Sequence, residues 1–294
     1  MDNHSQDTGS QVVLITGASS GIGKETALRY AERGARLVLA ARSGDTLEEV
    51  AVECKRAGAS DVIARSTDIA EADQVSELFD AAFEQFGRVD VAVQSAAITA
   101  FGRFVDVPAE VFDGIVRTNL IGAANVARCA LVHFEERETG HLVLVGSLLG
   151  VTAVPYQAAY VASKFALCGL VRTLRQETHH LPGVKVHGVY PGPVDTPVYG
   201  TASNYFGRTP RVPPTAVPPS TIVTSIVRAT ERKRSSERQV GWMNRPAIAA
   251  YRLMPAMFDA VIGPFLRAVA FTNEPVDPTE GNAFVGSGDE APAR

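Results

Sequence analysis

The chain has 294 residues, of which 46% are apolar, and this is enough to bury one substantial core. Its formal net charge of −4 offers no general attraction for nucleic acid. A basic cluster near residue 230 is interleaved with Glu231 and Glu237, which is typical of a solvated helix end. The cluster consists of Arg228, Arg232, Lys233, Arg234 and Arg238. We therefore expect no nucleic-acid partner.

The cysteines and the first residues bear on the compartment. Cys54, Cys129 and Cys168 lie too far apart for a short metal-ligand motif, and each falls in a helix-like segment where a cysteine packs as a small apolar group. Residues 1–11 are polar, with no apolar run of signal-peptide length. These features predict a cytoplasmic protein without a metal site.

Apolar runs of strand length alternate with helix-like segments along the chain. The runs lie at 12–16, 36–40, 61–65, 89–94, 141–146 and 184–190, with a shorter one near 239–243, and the helix-like segments include 24–33, 47–57, 74–86 and 119–135. This alternation predicts an α/β fold, in which a doubly wound parallel sheet of about seven strands carries helices on both faces.

The first strand leads into a glycine-rich turn. Glycines let the backbone turn sharply and approach a ligand closely, and the free N–H groups at the start of the next helix favour a phosphate. The turn is therefore predicted to be a pyrophosphate cradle built from Gly17, Ser19, Ser20, Gly21, Ile22 and Gly23. A plain strand-to-helix loop that only needs positive φ values is the alternative.

A possible proton-transfer site lies further along the chain. Tyr160 and Lys164 are four residues apart, and Ser147 ends an apolar run before them. Residues with this spacing share one face of a helix, so the Lys164 cation can lie against the Tyr160 ring. A neighbouring cation lowers the pKa of a phenol from about 10, which makes proton exchange feasible near neutral pH. A solvated helix face is the alternative.

In combination, these motifs resemble those of the short-chain dehydrogenase/reductase family, in its compact single-domain branch. Residues 16–23 are similar to the family's Thr-Gly-x-x-x-Gly-x-Gly turn, Tyr160 and Lys164 to its active-site pair, and Ser147 to its catalytic serine. The resemblance covers residues 12–196 and implies a Rossmann-like fold, a nicotinamide cofactor and oxidoreductase activity. Where the family usually has Asn-Asn-Ala-Gly, this chain has Gln94-Ser95-Ala96-Ala97, which leaves the cofactor contacts of Ser95 and Ala96 open.

The resemblance assigns further residues. Asn119 would be the fourth active-site member, holding a water that links Lys164 to solvent, with a buried asparagine bound to backbone as the alternative. Asp68 and Ile69 would contact the adenine, and a helix cap is the alternative for Asp68. The loop expected to close over the nicotinamide contributes Pro191, Gly192, Val194 and Thr196. Gly17, Asp68, Ala96, Ser147 and Pro191 each follow a predicted strand, and such sheets bind ligands at the carboxyl ends of their strands.

The end of the second strand bears on cofactor choice. Enzymes that select NAD usually carry an acidic residue there, which binds the ribose 2′-OH and repels a 2′-phosphate. This chain has Arg42, whose planar fork of donors suits a phosphate, and Ser43, which offers a hydroxyl. We therefore predict NADP, although a solvent-facing arginine is the alternative. Asp45 is interpreted as the start of a capping box with Glu48.

These residues predict a mechanism and a substrate class. In carbonyl reduction by NADPH, Tyr160 would give the proton, Ser147 would hold the oxygen and Lys164 would keep the phenol acidic. The expected lining is uncharged, which favours a lipophilic ketone, aldehyde or alcohol. It comprises Leu148, Leu149, Val154, Tyr156, Phe101 and Tyr199. Nine prolines between residues 181 and 220 predict a lid over the site.

The composition changes towards the C-terminus. Residues 245–271 are rich in apolar side chains, but charges and prolines interrupt them, so we expect a helical extension and no transmembrane segment. It could cap the pocket, cover a subunit contact or lie on a bilayer surface. The predicted organisation is a flexible N-terminus at 1–10, a single Rossmann-like catalytic domain at 11–244, the extension at 245–271 and a disordered tail at 272–294.

The sequence is compatible with two functions of different classes. One is an NADP-dependent oxidoreductase, and the other is a non-enzymatic NADP-binding sensor or scaffold on the same fold. Retention of Ser147, Tyr160 and Lys164 favours the enzyme, because a pure binder needs no acid at that place. The resemblance also implies a homodimer or homotetramer formed through the helices near 119–135 and 156–179.

Overall fold

The computed structural model describes residues 10–285 of the chain. Predictions for residues 1–9, and for the tail from 286 onward, lie outside the described residues. Eleven strands occur in the described range: β1 (Val12–Thr16), β2 (Arg36–Ala41), β3 (Asp61–Ser66), β4 (Val91–Gln94), β5 (Ala100–Phe101), β6 (Gly140–Val145), β7 (Val184–Pro191), β8 (Ser203–Asn204), β9 (Arg208–Pro210), β10 (Ser236–Val240) and β11 (Phe271–Pro275).

Ten α-helices are described within the same range. They are α1 (Gly21–Ala31), α2 (Gly44–Ala57), α3 (Ala72–Phe86), α4 (Ala109–Val116), α5 (Ala123–Glu136), α6 (Ala158–Glu177), α7 (Val198–Thr201), α8 (Pro219–Thr230), α9 (Asn244–Leu253) and α10 (Pro255–Val269). A π-helical turn, Arg117–Gly122, joins α4 to α5.

Seven strands form one parallel sheet in the spatial order β10-β7-β6-β4-β1-β2-β3. The chain starts in the middle of this sheet and extends it in both directions, so its strand order switches at β1. The predicted doubly wound, Rossmann-like sheet is confirmed. Of the remaining strands, β5 pairs with β8 in parallel and β9 pairs with β11 antiparallel.

Side chains of the central strands alternate between the two faces of the sheet, and both faces are buried. Val12 and Leu14 share one apolar cluster with residues of α3, α5 and α6. Val13 and Ile15 share a second cluster with residues of α1, α2 and α8. The two helical layers account for the continuous apolar runs that the sequence shows.

Two sequence predictions about local structure are wrong in detail. The seventh strand covers Ser236–Val240 and not 239–243, because an edge strand pairs on one side only and tolerates polar side chains that hide it from an apolar pattern. Helix α2 begins at Gly44 with Ser43 as its N-cap, so Asp45 lies in the first turn and does not cap the helix.

The C-terminal segment differs from the predicted disordered tail over residues 272–285. Strand β11 pairs with β9, and Thr279 exchanges two backbone hydrogen bonds with Asn204. Ala283 is buried against Ile98 and Ala159. These partners are distant in sequence, so local composition alone could not indicate them. The extension before it consists of α9 and α10, which part at Pro255 because proline favours the first turn of a helix.

One helical stretch in the described part of the chain, Ala109–Glu136, is long and apolar enough to cross a membrane by composition. More than half of its apolar window, 56%, is buried inside the domain. Val126 and Ala130 of this stretch belong to the core cluster beneath the sheet. Its apolar character is therefore explained by packing.

Candidate active site

The candidate residues gather at one edge of the sheet, where all seven parallel strands present their carboxyl ends. Gly17 follows β1, Arg42 follows β2, Asp68 follows β3 and Ser147 follows β6, while Pro191 ends β7. The edge coincides with the switch in strand order, which is the position at which open α/β sheets bind ligands.

Ser147, Tyr160 and Lys164 converge at this edge. Ser147 lies in extended backbone before a short 3₁₀ turn, and its Oγ accepts a hydrogen bond from the Leu149 N–H at 3.1 Å. Tyr160 lies in the first turn of α6, with its phenol near enough to the Ser147 hydroxyl for that group to lower the pKa of Tyr160. The Lys164 ammonium lies one turn further along, 5.5 Å from the centre of the Tyr160 ring, and donates to the Val145 carbonyl at 3.1 Å.

Burial sets the protonation of these two side chains. It raises the pKa of Tyr160 above its ordinary value of 10.0, and the Ser147 hydrogen bond opposes this shift only in part. Burial also lowers the pKa of Lys164 to about 8. The expected lowering of the phenol pKa by the lysine is therefore wrong for the protein alone, because desolvation outweighs the attraction between the charges. Tyr160 is a neutral phenol at neutral pH.

Among the described residues, the Asn119 side chain forms its hydrogen bonds with Ile98 and Ser163 and none with Tyr160 or Lys164. It is buried in the π-helical turn, where its Oδ1 accepts from the Ile98 N–H at 2.8 Å and its Nδ2 donates to the Ile98 carbonyl at 2.9 Å. The Nδ2 also donates to Ser163 Oγ at 3.1 Å. The side chain thus ties the segment after β4 to helix α6, as in the buried-asparagine alternative.

The glycine turn has the close packing expected of a cradle. Gly17 has a φ of +68°, and a Cβ atom there would lie 2.7 Å from the Ala96 backbone. A Cβ at Gly23 would lie 2.1 Å from the Gly17 carbonyl oxygen. Helix α1 starts at Gly21 after Ser20 and has no acidic residue in its first turn, so its positive end is not neutralised locally. Ser19 and Ile22 lie half-buried in the same turn.

Arg42 is already engaged by the C-terminal segment. Its guanidinium donates to the Asn282 carbonyl at 2.6 Å and to the Ala283 carbonyl at 3.3 Å. Ser43 is buried, and its hydroxyl is hydrogen bonded to Thr46 Oγ1 at 3.1 Å. The arginine fork therefore lies at the predicted place, but backbone oxygens occupy the donors that the sequence analysis assigned to a phosphate.

Asp68 and Ile69 lie at the end of β3. The Asp68 carboxylate accepts from the Ala70 N–H at 2.9 Å, which is a local turn, and it does not cap α3, since that helix begins after Glu71. Ile69 is buried against Gly122, and its carbonyl accepts from Asn125 Nδ2 at 3.0 Å.

The loop after β4 is held by the side chains of Gln94 and Ser95, which stand where the family usually has two asparagines. Ser95 Oγ donates to the Thr16 carbonyl at 2.7 Å, and Gln94 Nε2 donates to the Ala96 carbonyl at 2.8 Å. The buried Gln94 Oε1 and Thr16 Oγ1 have no hydrogen-bond partner among the described residues. These two oxygens lie beside the glycine turn and can form hydrogen bonds that the protein alone does not provide.

Asn244 is a residue that the sequence analysis missed. It is fully buried, and its Nδ2 donates to the Tyr190 carbonyl at 3.0 Å and to Gln239 Oε1 at 3.0 Å. A Cβ at Gly192 would lie 2.4 Å from its Oδ1, so Gly192 is required for this approach. Asn244 thereby fixes the start of the 191–196 loop. The signal available in the sequence was an asparagine opening a helix, which is too common to be specific.

The rest of that loop folds over the glycine turn. Val194 is buried and bridges to Val217, and the methyl group of Thr196 lies 3.3 Å from a Cβ placed on Gly21. The loop therefore covers the cradle from the side of β7.

Aromatic side chains close the site above Tyr160. Phe101 packs on Tyr199 with ring centres 6.4 Å apart and on Phe271 at 5.6 Å, and Tyr156 packs on Phe206 at 4.8 Å. Burial raises the pKa of Tyr199, and the nearby Tyr160 phenol raises it further. Leu148, Leu149 and Val154 are half-buried. Phe271 was not among the predicted lining residues, because it is the last residue of the extension and lies far from the motifs in sequence.

Comparison with known proteins agrees with this geometry. The model of the short chain dehydrogenase family matches residues 11–204. The chain belongs to this family. The resemblance predicted from the glycine turn and the Tyr160 and Lys164 pair is thus confirmed, and the short chain dehydrogenases are oxidoreductases.

Relatives extend the match along the chain. The uncharacterized oxidoreductase YxnA of Bacillus subtilis (strain 168) is 32% identical over 281 residues, which cover 95% of this chain and 78% of the relative. Dehydrogenase/reductase SDR family member 7 of Homo sapiens is 35% identical over 188 residues, covering 63% of this chain and 56% of that protein. The match thus spans little more than half the length of the human relative.

Solved structures show the same fold. An alcohol dehydrogenase from the archaeon Thermococcus sibiricus, complexed with 5-hydroxy-NADP, superposes with a TM-score of 0.69 and 29% identity over 80% of this chain and 97% of that one. Levodione reductase superposes with a TM-score of 0.71 at 24% identity, over 81% of this chain and 98% of that chain, and this likeness is one of fold.

Proposed function

We propose that the chain is an NADP(H)-dependent oxidoreductase that transfers a hydride between the nicotinamide and a carbonyl or secondary alcohol. The observation that carries the proposal is that the Ser147 hydroxyl lies near enough to the Tyr160 phenol to lower its pKa, while the buried Lys164 ammonium lies 5.5 Å from the centre of the phenol ring. A hydroxyl, a phenol and a cation at the ligand-binding edge of the sheet supply what a developing alkoxide needs.

The residues present fit a dinucleotide. The glycine turn is too tight for any side chain at Gly17 or Gly23, and the unneutralised start of α1 suits a pyrophosphate. The orphaned oxygens of Thr16 and Gln94 are acceptors beside the turn. We assign the cofactor to the turn residues 17–23, to Asp68 and Ile69 at the adenine, to Ser95 and Ala96, and to the loop contributing Pro191, Gly192, Val194 and Thr196.

The choice of NADP rests on Arg42. The second strand ends without a carboxylate, and the nearest acidic residue in sequence is Asp45, which is exposed in the first turn of α2. The guanidinium holds two carbonyl oxygens of the C-terminal segment, which occupy the kind of acceptor position that phosphate oxygens take. The phosphate competes with Asn282 and Ala283 for this fork. The NADP complex of the Thermococcus sibiricus relative supports the same choice.

The residues of the chain then have distinct roles in the reaction. The bound cofactor supplies or accepts the hydride. Tyr160 gives its proton to the carbonyl oxygen of the substrate, while the Ser147 hydroxyl holds that oxygen in place. Lys164 stabilises the charge left on the phenol, and Asn119 positions α6 through Ser163. At neutral pH Tyr160 carries the proton that carbonyl reduction consumes, and with NADP as the cofactor we expect reduction to be the direction in a cell.

The substrate is assigned as a lipophilic ketone or aldehyde. Phe101, Phe206 and Phe271 pack with Tyr199 into one cluster of uncharged rings, and Tyr199 lies near the Tyr160 phenol. An apolar substrate gains from burial against these rings, whereas a phosphorylated sugar would lose its hydration without a counter-charge.

The proposal also includes an oligomeric state and a cellular compartment. Ile121, Val132 and Phe165 are exposed apolar residues of the helical stretches expected to form subunit contacts, which supports a homodimer or homotetramer. The cysteines Cys54, Cys129 and Cys168 are all free, which supports a reducing compartment such as the cytoplasm.

A panel of lipophilic ketones and aldehydes tests the proposal, with NADPH or NADH as the cofactor and consumption of the reduced cofactor as the readout. We expect turnover of at least one member of the panel, with a lower KM for NADPH than for NADH. NADPH binding without turnover of any member would instead favour the sensor or scaffold alternative.

A further inference from the structure

Helix α10 presents its apolar side to solvent. Met257, Val261 and Phe265 follow one another at intervals of four residues and form a single stripe along the helix, and they are 54%, 57% and 48% exposed. Leu253 and Met254 continue the stripe into the end of α9 and are also exposed. The face of α10 that touches the domain is formed instead by Gly263, which lies near Tyr156 and Pro155. The stripe therefore has no partner among the described residues.

Such a stripe is unlike the scattered exposed side chains of an ordinary surface. Five adjoining apolar residues on one helical hairpin form a contiguous patch, and patches of this kind mark contact surfaces. The surface stripe is defined here as Leu253, Met254, Met257, Val261 and Phe265.

Positive charge surrounds the surface stripe although the whole chain carries a net charge of −4. Arg245 and Arg252 are exposed on α9, and α10 carries Arg267 with Asp259 as its only acidic residue. A cavity of about 440 Å³ beside α10 is lined by Arg208, Arg211 and Arg267 and by no acidic residue. These three arginines form no ion pair within the described part of the chain, while Arg211 donates to the Ala268 carbonyl at 2.7 Å and to the Val269 carbonyl at 3.0 Å.

The surface stripe and the neighbouring arginines together indicate what binds this surface. A second copy packed through a two-fold axis would set the same arginines of both copies against each other, and like charges at a contact are unfavourable. An anionic bilayer surface meets both features, because the stripe enters the interface while the arginines reach lipid phosphates. We propose that α9 and α10 dock this protein on an anionic membrane surface, with the three-arginine cavity receiving lipid phosphate.

The surface stripe lies on the side of α10 that faces away from the active site, whereas the three-arginine cavity borders the aromatic lining through Phe271. Gly263 places the opposite face of the helix near Tyr156, and Arg267 lies 6.0 Å from the Tyr156 ring centre. An enzyme docked in this way would meet lipophilic substrates at the bilayer. The docking itself does not depend on the proposed reaction, since the stripe and the arginines are separate from Ser147, Tyr160 and Lys164.

Co-sedimentation with vesicles tests the proposal. The full chain is mixed with vesicles of phosphatidylcholine alone, or of phosphatidylcholine and phosphatidylserine in equal amounts, at low and high salt. We expect partition at least ~10-fold stronger on the anionic vesicles, and a loss of that preference at high salt. No sedimentation with either vesicle would overturn the proposal.

Two pairs of variants identify the surface. Val261→Glu with Phe265→Glu should weaken partition at least ~10-fold, whereas Val52→Glu, at an exposed apolar position of α2, should leave it unchanged. Arg208→Gln with Arg252→Gln should abolish the preference for anionic vesicles, whereas Arg56→Gln should not. All of the substituted side chains are exposed. Each variant is first checked for an unchanged melting temperature.

Sedimentation velocity tests whether a second copy of the chain covers the surface stripe in place of a membrane. The proposal expects the Val261→Glu and Phe265→Glu variant to keep the oligomeric state of the native chain. A change of that variant to a smaller species, with vesicle binding retained, would show that a second copy covers the surface stripe and would contradict membrane docking.

Discussion

At the residue scale, the chemistry depends on how burial changes the protonation of Tyr160 and Lys164. The sequence identified both residues, because their spacing fixes them on one helix face. It could not give the sign of the phenol shift, since desolvation depends on elements that pack over α6 from elsewhere in the chain. The pKa of Tyr160 is raised and that of Lys164 is lowered to about 8.

Lys164 should therefore impose a limit on activity at high pH. The ammonium loses its proton as the pH rises through about 8, and with it the charge that stabilises the ionising phenol. We expect kcat/KM for carbonyl reduction to be level below this pH and to fall above it. Lys164→Arg, which stays charged to far higher pH, should move the fall upward even if its rate is lower. A native profile that stays level to pH 10 would contradict this role.

His187 should make the stability of the fold depend on acid. It is fully buried between His141, at 3.2 Å, and Ser236, at 3.0 Å, and burial together with neighbouring cations lowers its pKa to about 3. The unfolded chain binds a proton below about 6.5, but the folded chain does not until about 3, so stability is complete above 6.5 and declines as the pH falls.

We expect the free energy of unfolding in urea to be smaller at pH 5 than at pH 7 by about 2 kcal/mol from this residue. His187→Asn should reduce that difference. The matched control is His180→Asn, because His180 is exposed and should leave the difference unchanged. Equal pH dependence in the native chain and His187→Asn would show that other groups cause it.

At the element scale, the C-terminal segment is the part that local sequence could not predict. Its polar composition indicated disorder, yet it pairs through β11 and reaches Arg42 by contacts with residues far away in sequence. The central strands and helices were predictable because their apolar periodicity is local. The edge strand β10 was misplaced because its polar residues carry little of that pattern.

Removal of this segment should favour the phosphorylated cofactor. In a chain that ends at Pro278, Asn282 and Ala283 no longer compete for Arg42, so the KM for NADPH should fall by up to roughly 10-fold. Arg42→Ala in the full chain should raise the KM for NADPH far more than that for NADH, and in the shortened chain it should cancel the gain. An unchanged KM on truncation would contradict competition, and equal losses for both cofactors in Arg42→Ala would contradict the phosphate assignment.

At the scale of the whole molecule, the parallel sheet explains why residues from 17 to 196 share one site. Gly17, Arg42, Asp68, Ser147 and Pro191 lie at the ends of different strands, and the strands present their carboxyl ends at one edge, so residues distant in sequence lie close together. That convergence was predictable once the strands were recognised. The contacts of Asn119 with Ile98 and of Asn244 with Tyr190 were not, because they join segments whose relative position only the folded chain defines.

The most direct test of the account compares hydride transfer by the native chain and by Tyr160→Phe, with NADPH deuterated at the transferring position and a carbonyl substrate found in the panel. We expect the native product to carry deuterium at the carbinol carbon. Tyr160→Phe should bind NADPH with similar affinity but form this product at least ~10²-fold more slowly, since it lacks the proton donor. Equal rates of labelled product in the two proteins would contradict the central role of the phenol.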